Sequence, residues 1–317
     1  MSPSPEGLPI KPTLRIGTRG SDLALWQAHT IEDKLRDHGV ATEIVIIKTR
    51  GDRIDNVPFS KLEGKGFFTK ELEDAQLEGR VDLAVHSLKD LTTDQPDGLT
   101  LVAMVGREDP RELLLAAPDA IDQDKLKAGE VLPLKEGARI GTSAARRQAQ
   151  VHVLRPDLKI VDLRGNVPTR INRLREGKYD AILLARAGVV RLELDVSDLF
   201  TTPLAITDFV PAPAQGMMGI QCVEKAEIST HLTPLHCQGD GQAVAAERLL
   251  LNRLDGGCQL PFGVNIRRED NQWVLEAFLA ASPEDASPLR ISLQGDSPDA
   301  VAEQAWEKIT RHKNKDS

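Results

Sequence analysis

"ARIGTSAARRQAQVHVL", residues 138–154, restates an arrangement already met at residues 14–35, "LRIGTRGSDLALWQAHTIEDKL". Each copy opens on a short apolar run containing Arg-Ile-Gly-Thr and passes through a polar turn into an amphipathic segment. In the first copy Ser21 is placed to cap a helix. Ala24, Ala28, Ile31 and Leu35 recur at helical spacing, and Gly39 suits the stop. The β-rich run 41–49 follows. Strand, helix and strand at these lengths predict a βαβ unit and hence a parallel sheet. The second copy continues in the same way, with strands over 159–165 and 180–185 and a helix over 169–177. "GRVDLAVHSLKDL" (79–91) is echoed by "GKYDAILLARAGVVRL" (177–192). Two matched segments in one order predict two related α/β domains facing one cleft.

Working outward, residues 65–79 predict a helix, and 81–87 and 99–106 predict strands. Residues 49–66 have turn formers and charges without a period, which predicts a mobile lid. After "FVPAPAQGMMGIQC" (209–222) the chain changes character. An amphipathic helix over 242–255, three alternating runs and a last helix over 299–312 predict a small C-terminal α+β domain. The expected partition is a flexible leader over 1–12, a first domain over 13–107 with 209–228, a second over 108–208, and a third over 240–317.

Composition narrows the function classes. The 317 residues carry a net charge of −8, which argues against a nucleic-acid binder but leaves room for a cationic cleft. No apolar run approaches the roughly 18 residues that span a bilayer. "MSPSPEGLPIKP" has no apolar core of a secretory signal, so a cytoplasmic protein is expected. Cys222, Cys237 and Cys258 are odd in number and widely spaced, so neither a disulfide framework nor a metal site is expected. The one weak metal pattern is His231, His236 and Cys237 near Cys222. Cys258 lies in "RLDGGCQLPFG" (253–263), where two glycines give it a bendable loop. An inert thiol, a nucleophile and an attachment point all remain open there.

Strand-to-helix turns gather backbone N–H groups and the positive helix end, which suits an anion. The repeated turns add arginines to this: Arg19 beside Ser21 in the first, and Thr142, Ser143, Arg146 and Arg147 in the second. "DLRGNVPTR" (162–170) adds Arg164 and Arg170 around a helix starting near Pro168. Arginine suits bidentate binding of carboxylate or phosphate, so the expected ligand is small and multiply anionic. In "VHSLKDL" (85–91) a strand ends and His86, Ser87, Lys89 and Asp90 follow. Asp90 is the odd charge among cations and can take a proton or stabilise a developing positive charge. His86 reads as a packed strand residue.

"TRGSDLALWQ", "KGFFTKELE", "DLAVHSLKDL", "GTSAARRQAQ", "LRGNVPTR", "AQGMMGI" and "GGCQLPFG" together resemble the hydroxymethylbilane synthase, or porphobilinogen deaminase, family, collinearly over about residues 13–312. The resemblance implies two periplasmic-binding-protein-like α/β domains plus the small α+β domain. It implies a dipyrromethane cofactor in thioether linkage to Cys258, and four porphobilinogen molecules deaminated and joined head to tail onto it. Hydrolysis then releases linear hydroxymethylbilane. It further implies that Asp90 is catalytic and that Ser87, Lys89, Asp90, Thr142, Ser143, Arg146, Arg147 and Arg170 hold the cofactor. Arg19, Ser21, Phe68, Arg164 and Arg191 would lie on the substrate side, with Lys61 and Lys65 in the mobile loop. A monomer is implied.

Four positions depart from the family pattern. Asp22 stands where proline or lysine is usual, Thr92 replaces a proline, Ala144 a serine and Gln221 a glutamate. Two other readings make different predictions. A non-catalytic binding protein for small polyanions would carry no covalent adduct, and a thiol enzyme would keep Cys258 titratable.

Overall fold

The computed structural model describes residues 13–49, 69–254 and 260–314. In chain order the first elements are β1 (Leu14–Thr18), α1 (Asp22–Asp37), β2 (Thr42–Ile46), α2 (Lys70–Leu77), β3 (Leu83–Ser87) and β4 (Leu99–Val105). A 3-10 turn, Leu88–Asp90, follows β3. Next come β5 (Glu112–Ala116), α3 (Gln123–Lys127), β6 (Arg139–Gly141), α4 (Ala145–Leu154), β7 (Lys159–Val161), α5 (Val167–Arg175), β8 (Ala181–Ala185), α6 (Arg186–Arg191) and β9 (Phe200–Pro203). The chain then runs through β10 (Met218–Val223), α7 (Ala226–Leu232), α8 (Gln238–Arg253), β11 (Phe262–Glu269), β12 (Gln272–Leu279), β13 (Leu289–Gly295) and α9 (Pro298–Lys313).

The two halves share one sheet plan. The first sheet runs β2-β1-β3-β10-β4 and the second β7-β6-β8-β5-β9. The βαβ units are parallel as expected, β1 with β2 and β3, and β6 with β7 and β8. Each sheet also holds a reversed strand: β10 is antiparallel to β3 and β4, and β5 to β8 and β9. In each sheet the reversed strand has crossed from the other half. β5 and β9 had no counterpart in the sequence reading, and 65–79 contracts to α2 at Lys70–Leu77 within the described residues.

The repeat is written in side chains as well. Arg15 donates to Asp82 from its backbone N at 2.8 Å and its guanidinium at 2.9 and 3.0 Å. Arg139 does the same to Asp180, at 2.7 Å from the backbone and 2.8 and 3.2 Å from the side chain. The two aspartates stand just before β3 and β8, so one pair locks β1 to β3 and the other β6 to β8. Gly17 and Gly141 close the match. A β-carbon would stand 2.9 Å from Val81 Cγ2 at the first and 2.8 Å from Tyr179 Cδ1 at the second, so neither strand end has room for a side chain.

Three cores result. Ile16, Ile31, Leu35, Leu83 and Ile220 pack in the first domain, joined by Ile228, Leu232 and Leu235 from α7 and the turn after it. β5 is buried along its whole length: Leu114 meets Ile140, Val151 and Phe209 on one face, and Leu113 and Leu115 meet Ile171 and Ile182 on the other. In the third domain α8 and α9 lay Leu250, Ala305 and Ile309 on the antiparallel β11-β12-β13 sheet at Val264 and Leu275. Each such aliphatic contributes about 1.5–3 kcal/mol.

The segments between β4 and β5 and between β9 and β10 cross side by side, joined by the Glu108 N–H donating to Gly216 O at 3.0 Å. Glu247 on α8 is buried against them. Its carboxylate accepts from Arg107 Nη2 at 2.7 Å, Ala214 N at 2.8 Å and Ile266 N at 2.7 Å. Charge pairing and full use of the oxygens offset the desolvation of this group. The third domain is thereby fastened at the crossing.

Candidate functional site

β3 ends at Ser87, whose hydroxyl accepts from Gln27 Nε2 at 2.9 Å. The 3-10 turn that follows is fixed from outside. The Leu88 N–H donates to Met217 O at 2.9 Å, and Leu88 itself is buried. Lys89 donates to Gln215 Oε1 at 3.1 Å, and Gln215 Nε2 donates to Pro110 O at 2.8 Å in the other crossing segment. Arg248 of α8 bonds the carbonyls of Leu88, Leu91 and Thr92. Asp90 stands exposed at the tip. Burial lowers the Lys89 ammonium to about 8; the carboxylates of Asp90 and Glu112 work against that, and Arg147 and Arg146 add to it. These groups share one field although they come from both halves.

The second half answers with cations gathered on one carboxylate. Glu112, at the start of β5, accepts from Arg146 Nη2 at 2.5 Å and Arg147 Nη2 at 2.8 Å. Arg146 also donates to Val210 O at 2.7 Å, and Arg147 to Leu183 O at 3.0 Å. Burial would push Glu112 up, but Arg147, Arg146 and Lys89 hold it down at about 2. Arg170 donates from Nε to Gly165 O at 2.7 Å. Burial and Arg147 lower Arg170 to about 10, while Asp90 opposes the shift. α5 begins at Val167 rather than Pro168, and its cap is Asn166, which accepts from Thr169 N at 2.9 Å. Ser143 Oγ accepts from Leu163 N at 2.9 Å and donates to Leu163 O at 3.0 Å, tying the two cationic turns together.

Asp90, Lys89, Arg146, Arg147 and Arg170 are therefore brought together, with Ser87, Thr142 and Ser143 on the same turns. Two buried polar atoms here lack a partner among the described residues: Thr142 Oγ1 and Arg147 Nε. Both can donate, and a group rich in carboxylates would satisfy them, so the donor set fits a cofactor with several carboxylates. Arg19 follows β1 half-buried, and its charge reaches His86. Ser21 sits at the start of α1 in extended conformation without capping through its side chain, and Arg164 lies in the turn before α5. Arg191 does not join the group. Its Nη2 donates to Gly106 O at 2.9 Å and Gly216 O at 2.6 Å, and its guanidinium lies over Trp26, so it clamps the crossing segments. Phe68, Lys61, Lys65 and Cys258 lie outside the described residues. Before Cys258, α8 ends at Arg253 and the described chain at Leu254; it resumes at Leu260. Beyond it, a β-carbon on Gly263 would stand 3.0 Å from Arg146 Cδ.

The departures find local explanations. Gln221 is a buried hub, accepting from Gln76 Nε2 at 2.9 Å and His86 Nε2 at 3.1 Å and donating to Gln95 Oε1 at 2.8 Å. Burial lowers His86 to about 4, so it is neutral and structural. A neutral amide suits a neutral imidazole better than a buried carboxylate would. Thr92 donates from its hydroxyl to Asp94 O at 2.8 Å, tightening a turn that a proline would stiffen by its ring. Asp22 is exposed in the first turn of α1, and Ala144 precedes α4 without a side-chain cap. Of the weak metal pattern, His236 Nδ1 accepts from Met104 N and Cys237 Sγ from Gly106 N, while Cys222 is buried.

Glu112, Gln215 and Arg248 escaped the sequence reading. Glu112 had a signal: a single carboxylate opening the apolar run "ELLLAA" must be buried, and a buried carboxylate needs a cation.

Comparison with known proteins adds three findings. Residues 14–231 match the family model described as "Porphobilinogen deaminase, dipyromethane cofactor binding domain", and residues 242–305 match "Porphobilinogen deaminase, C-terminal domain". The chain is 46% identical over 293 residues to a porphobilinogen deaminase of Trichlorobacter lovleyi, covering 91% of this chain and 89% of that one. It is 44% identical over 292 residues to one of Maridesulfovibrio salexigens, covering 90% of each. Among solved structures, the periplasmic VFT2 domain of Bordetella pertussis BvgS matches with a TM-score of 0.42 and 13% identity. That match covers 75% of this chain and 93% of the other.

Proposed function

This chain belongs to the porphobilinogen deaminase family, and we propose that the cleft between its two α/β domains carries out that family's reaction. The protein is a transferase of tetrapyrrole biosynthesis, a hydroxymethylbilane synthase. Four porphobilinogen molecules are deaminated and joined head to tail, and linear hydroxymethylbilane is released by hydrolysis. The observation that carries the reading is the meeting of one exposed carboxylate, Asp90, with Lys89, Arg146, Arg147 and Arg170 across the two domains.

Dipyrromethane, when bound, supplies the primer onto which pyrroles are added. We place its attachment at Cys258. Ser87, Lys89, Thr142, Ser143, Arg146, Arg147 and Arg170 surround its carboxylates, with Thr142 Oγ1 and Arg147 Nε as donors still to be satisfied. Each pyrrole carries an acetate and a propionate, so the substrate presents two carboxylates to the cleft. Arg19, Arg164, Ser21 and Phe68 hold it, and Lys61 and Lys65 belong to the family's mobile loop. Asp90 exchanges protons with the leaving amine and stabilises the cation left on the substrate as ammonia departs. The cations that bind carboxylates would repel that developing charge, so Asp90 must lie nearer to the reacting carbon than they do. We read the protein as a cytoplasmic monomer partitioned at 13–107 with 209–228, 108–208 and 240–317, with no nucleic-acid or membrane partner. Among the described residues no helix is long and apolar enough to cross a membrane.

The test is the intact mass of the denatured holoenzyme with peptide mapping. The expected result is a dipyrromethane adduct on Cys258 and turnover of porphobilinogen. An unmodified Cys258 in active, fully assembled protein would refute the attachment. A protein that binds small polyanions without turnover would be the non-catalytic binder instead, and a freely titrating thiol would favour the thiol enzyme.

A further inference from the structure

We propose that Arg248 is the positioning residue of the catalytic turn: from the third domain, its guanidinium fixes the backbone on both sides of Lys89 and Asp90. The proposal rests on the function just assigned to Asp90.

The turn cannot hold itself. Leu88–Asp90 is a single 3-10 turn, closed by the Leu91 N–H donating to Leu88 O at 3.3 Å. Such a turn leaves its carbonyls without helical partners. Asp90 is exposed, so neighbouring packing does not aim its side chain; the backbone beneath it must. Arg248 Nη1 donates to Leu88 O at 3.2 Å and Leu91 O at 3.0 Å, and Nη2 donates to Thr92 O at 2.8 Å. One carbonyl precedes Lys89 and two follow Asp90. A guanidinium is a rigid planar fork, so three bonds from it fix the relative positions of three carbonyls.

Arg248 is buried, and among the described residues its hydrogen bonds all go to carbonyl oxygens rather than to a carboxylate. Burying a cation against carbonyl dipoles, with the Asp94 carboxylate only partly offsetting the burial, is a costly way to glue two domains together. Nor is it needed for that purpose. Glu247, the preceding residue, already fastens α8 to Ala214, Ile266 and Arg107, and Asn252 Nδ2 bonds Thr93 Oγ1 at 3.1 Å and Asp94 Oδ1 at 2.8 Å. What Arg248 adds is order in the turn. It lies on the helix that ends at Arg253, shortly before the segment holding Cys258. One rigid helix thus refers the catalytic carboxylate to the start of the segment from which the product grows.

The experiment compares Arg248→Lys, Arg248→Ala and Asn252→Ala with the parent, all as full-length holoenzymes whose cofactor has been confirmed by intact mass. Each is assayed well below its own Tm. Arg248→Lys keeps the charge but not the fork. Its kcat is expected to fall about ten- to a hundredfold, as for a slight misplacement of a reacting group, with KM for porphobilinogen within about twofold. Arg248→Ala should fall at least as far and recover part of its kcat when guanidinium ion is added. Asn252→Ala should keep the parental kcat. Parental kcat in either Arg248 variant, whatever its Tm, overturns the proposal. So does a loss confined to KM, or a loss of kcat in Asn252→Ala equal to that in Arg248→Lys. A parent that carries the cofactor but does not turn over porphobilinogen refutes the assigned function instead, a different result from an active parent with indifferent variants.

Discussion

The turn after β1 and the turn after β6 start from the same four residues, Arg-Ile-Gly-Thr, and end in opposite chemistry. Their Arg–Asp lock is duplicated bond for bond, Arg15 on Asp82 and Arg139 on Asp180, with a glycine pressed against Val81 in one and Tyr179 in the other; Arg139 adds only two exposed bonds to the carbonyls of Gly177 and Lys178. Beyond the threonine they part. The first turn leads to a half-buried Arg19 and an exposed Asp22, and its half carries Asp90 at the end of β3. The second leads to two buried arginines clasped by Glu112. The difference teaches that the frame of each half is separable from the charge placed on its rim. One rim carries the exposed Asp90 carboxylate while the other gathers buried arginines around Glu112.

The largest break in that division comes from Asp90→Asn. Turnover should fall by about 10²–10⁴-fold while Tm and cofactor content stay at the parental level, read by steady-state kinetics and intact mass. Glu112→Gln attacks the other rim. Removing one partner from a buried charge cluster should destabilise by about 3–5 kcal/mol, read as a lower midpoint in urea. The same residue gives a pH signature. Its carboxyl is held at about 2, below its ordinary 4.5, so its contribution is complete above 4.5 and drains away as pH falls toward about 2. Urea midpoints of the parent should drop across that window, and those of Glu112→Gln should drop less. A smaller effect joins the two rims. Lys89 loses its charge as pH rises through about 8, so kcat/KM should decline above that pH, and Lys89→Arg should flatten the decline. The least effect belongs to the frame. Arg15→Ala and Arg139→Ala should lower Tm slightly and by similar amounts, with kcat/KM within about twofold, because both pairs are partly exposed. Unequal losses there would mean that the two halves do not share one frame after all.

Much of this was legible in the sequence where signals were local. The repeated tetrapeptide marked both halves, helical spacing located α1 and α4, and the strand-end clusters supplied Asp90, Lys89, Arg146, Arg147 and Arg170. What escaped depended on chain reversal between distant segments. β5 and β9 are short, and β10 owes its direction to a crossing that no local period records. Glu112 meets its arginines from 34 and 35 positions away, and Arg248 reaches the Leu88–Asp90 turn from 160. Arg191 reads like any helix-end cation, and only the approach of Gly106 and Gly216 turns it into a clamp.

The sheet order β2-β1-β3-β10-β4 has a consequence for how the chain is made. Translation delivers β1 to β4 first, yet β4 joins the sheet only through β10, which follows the whole second domain. The second domain has no such wait, because its reversed strand β5 emerges ahead of its partners. At roughly 5–20 residues per second, the first domain therefore spends several seconds with β3 and β4 presenting open edges. The half that begins first is completed second, and the rim carrying Asp90 can become rigid only after the arginine-bearing rim is already in place.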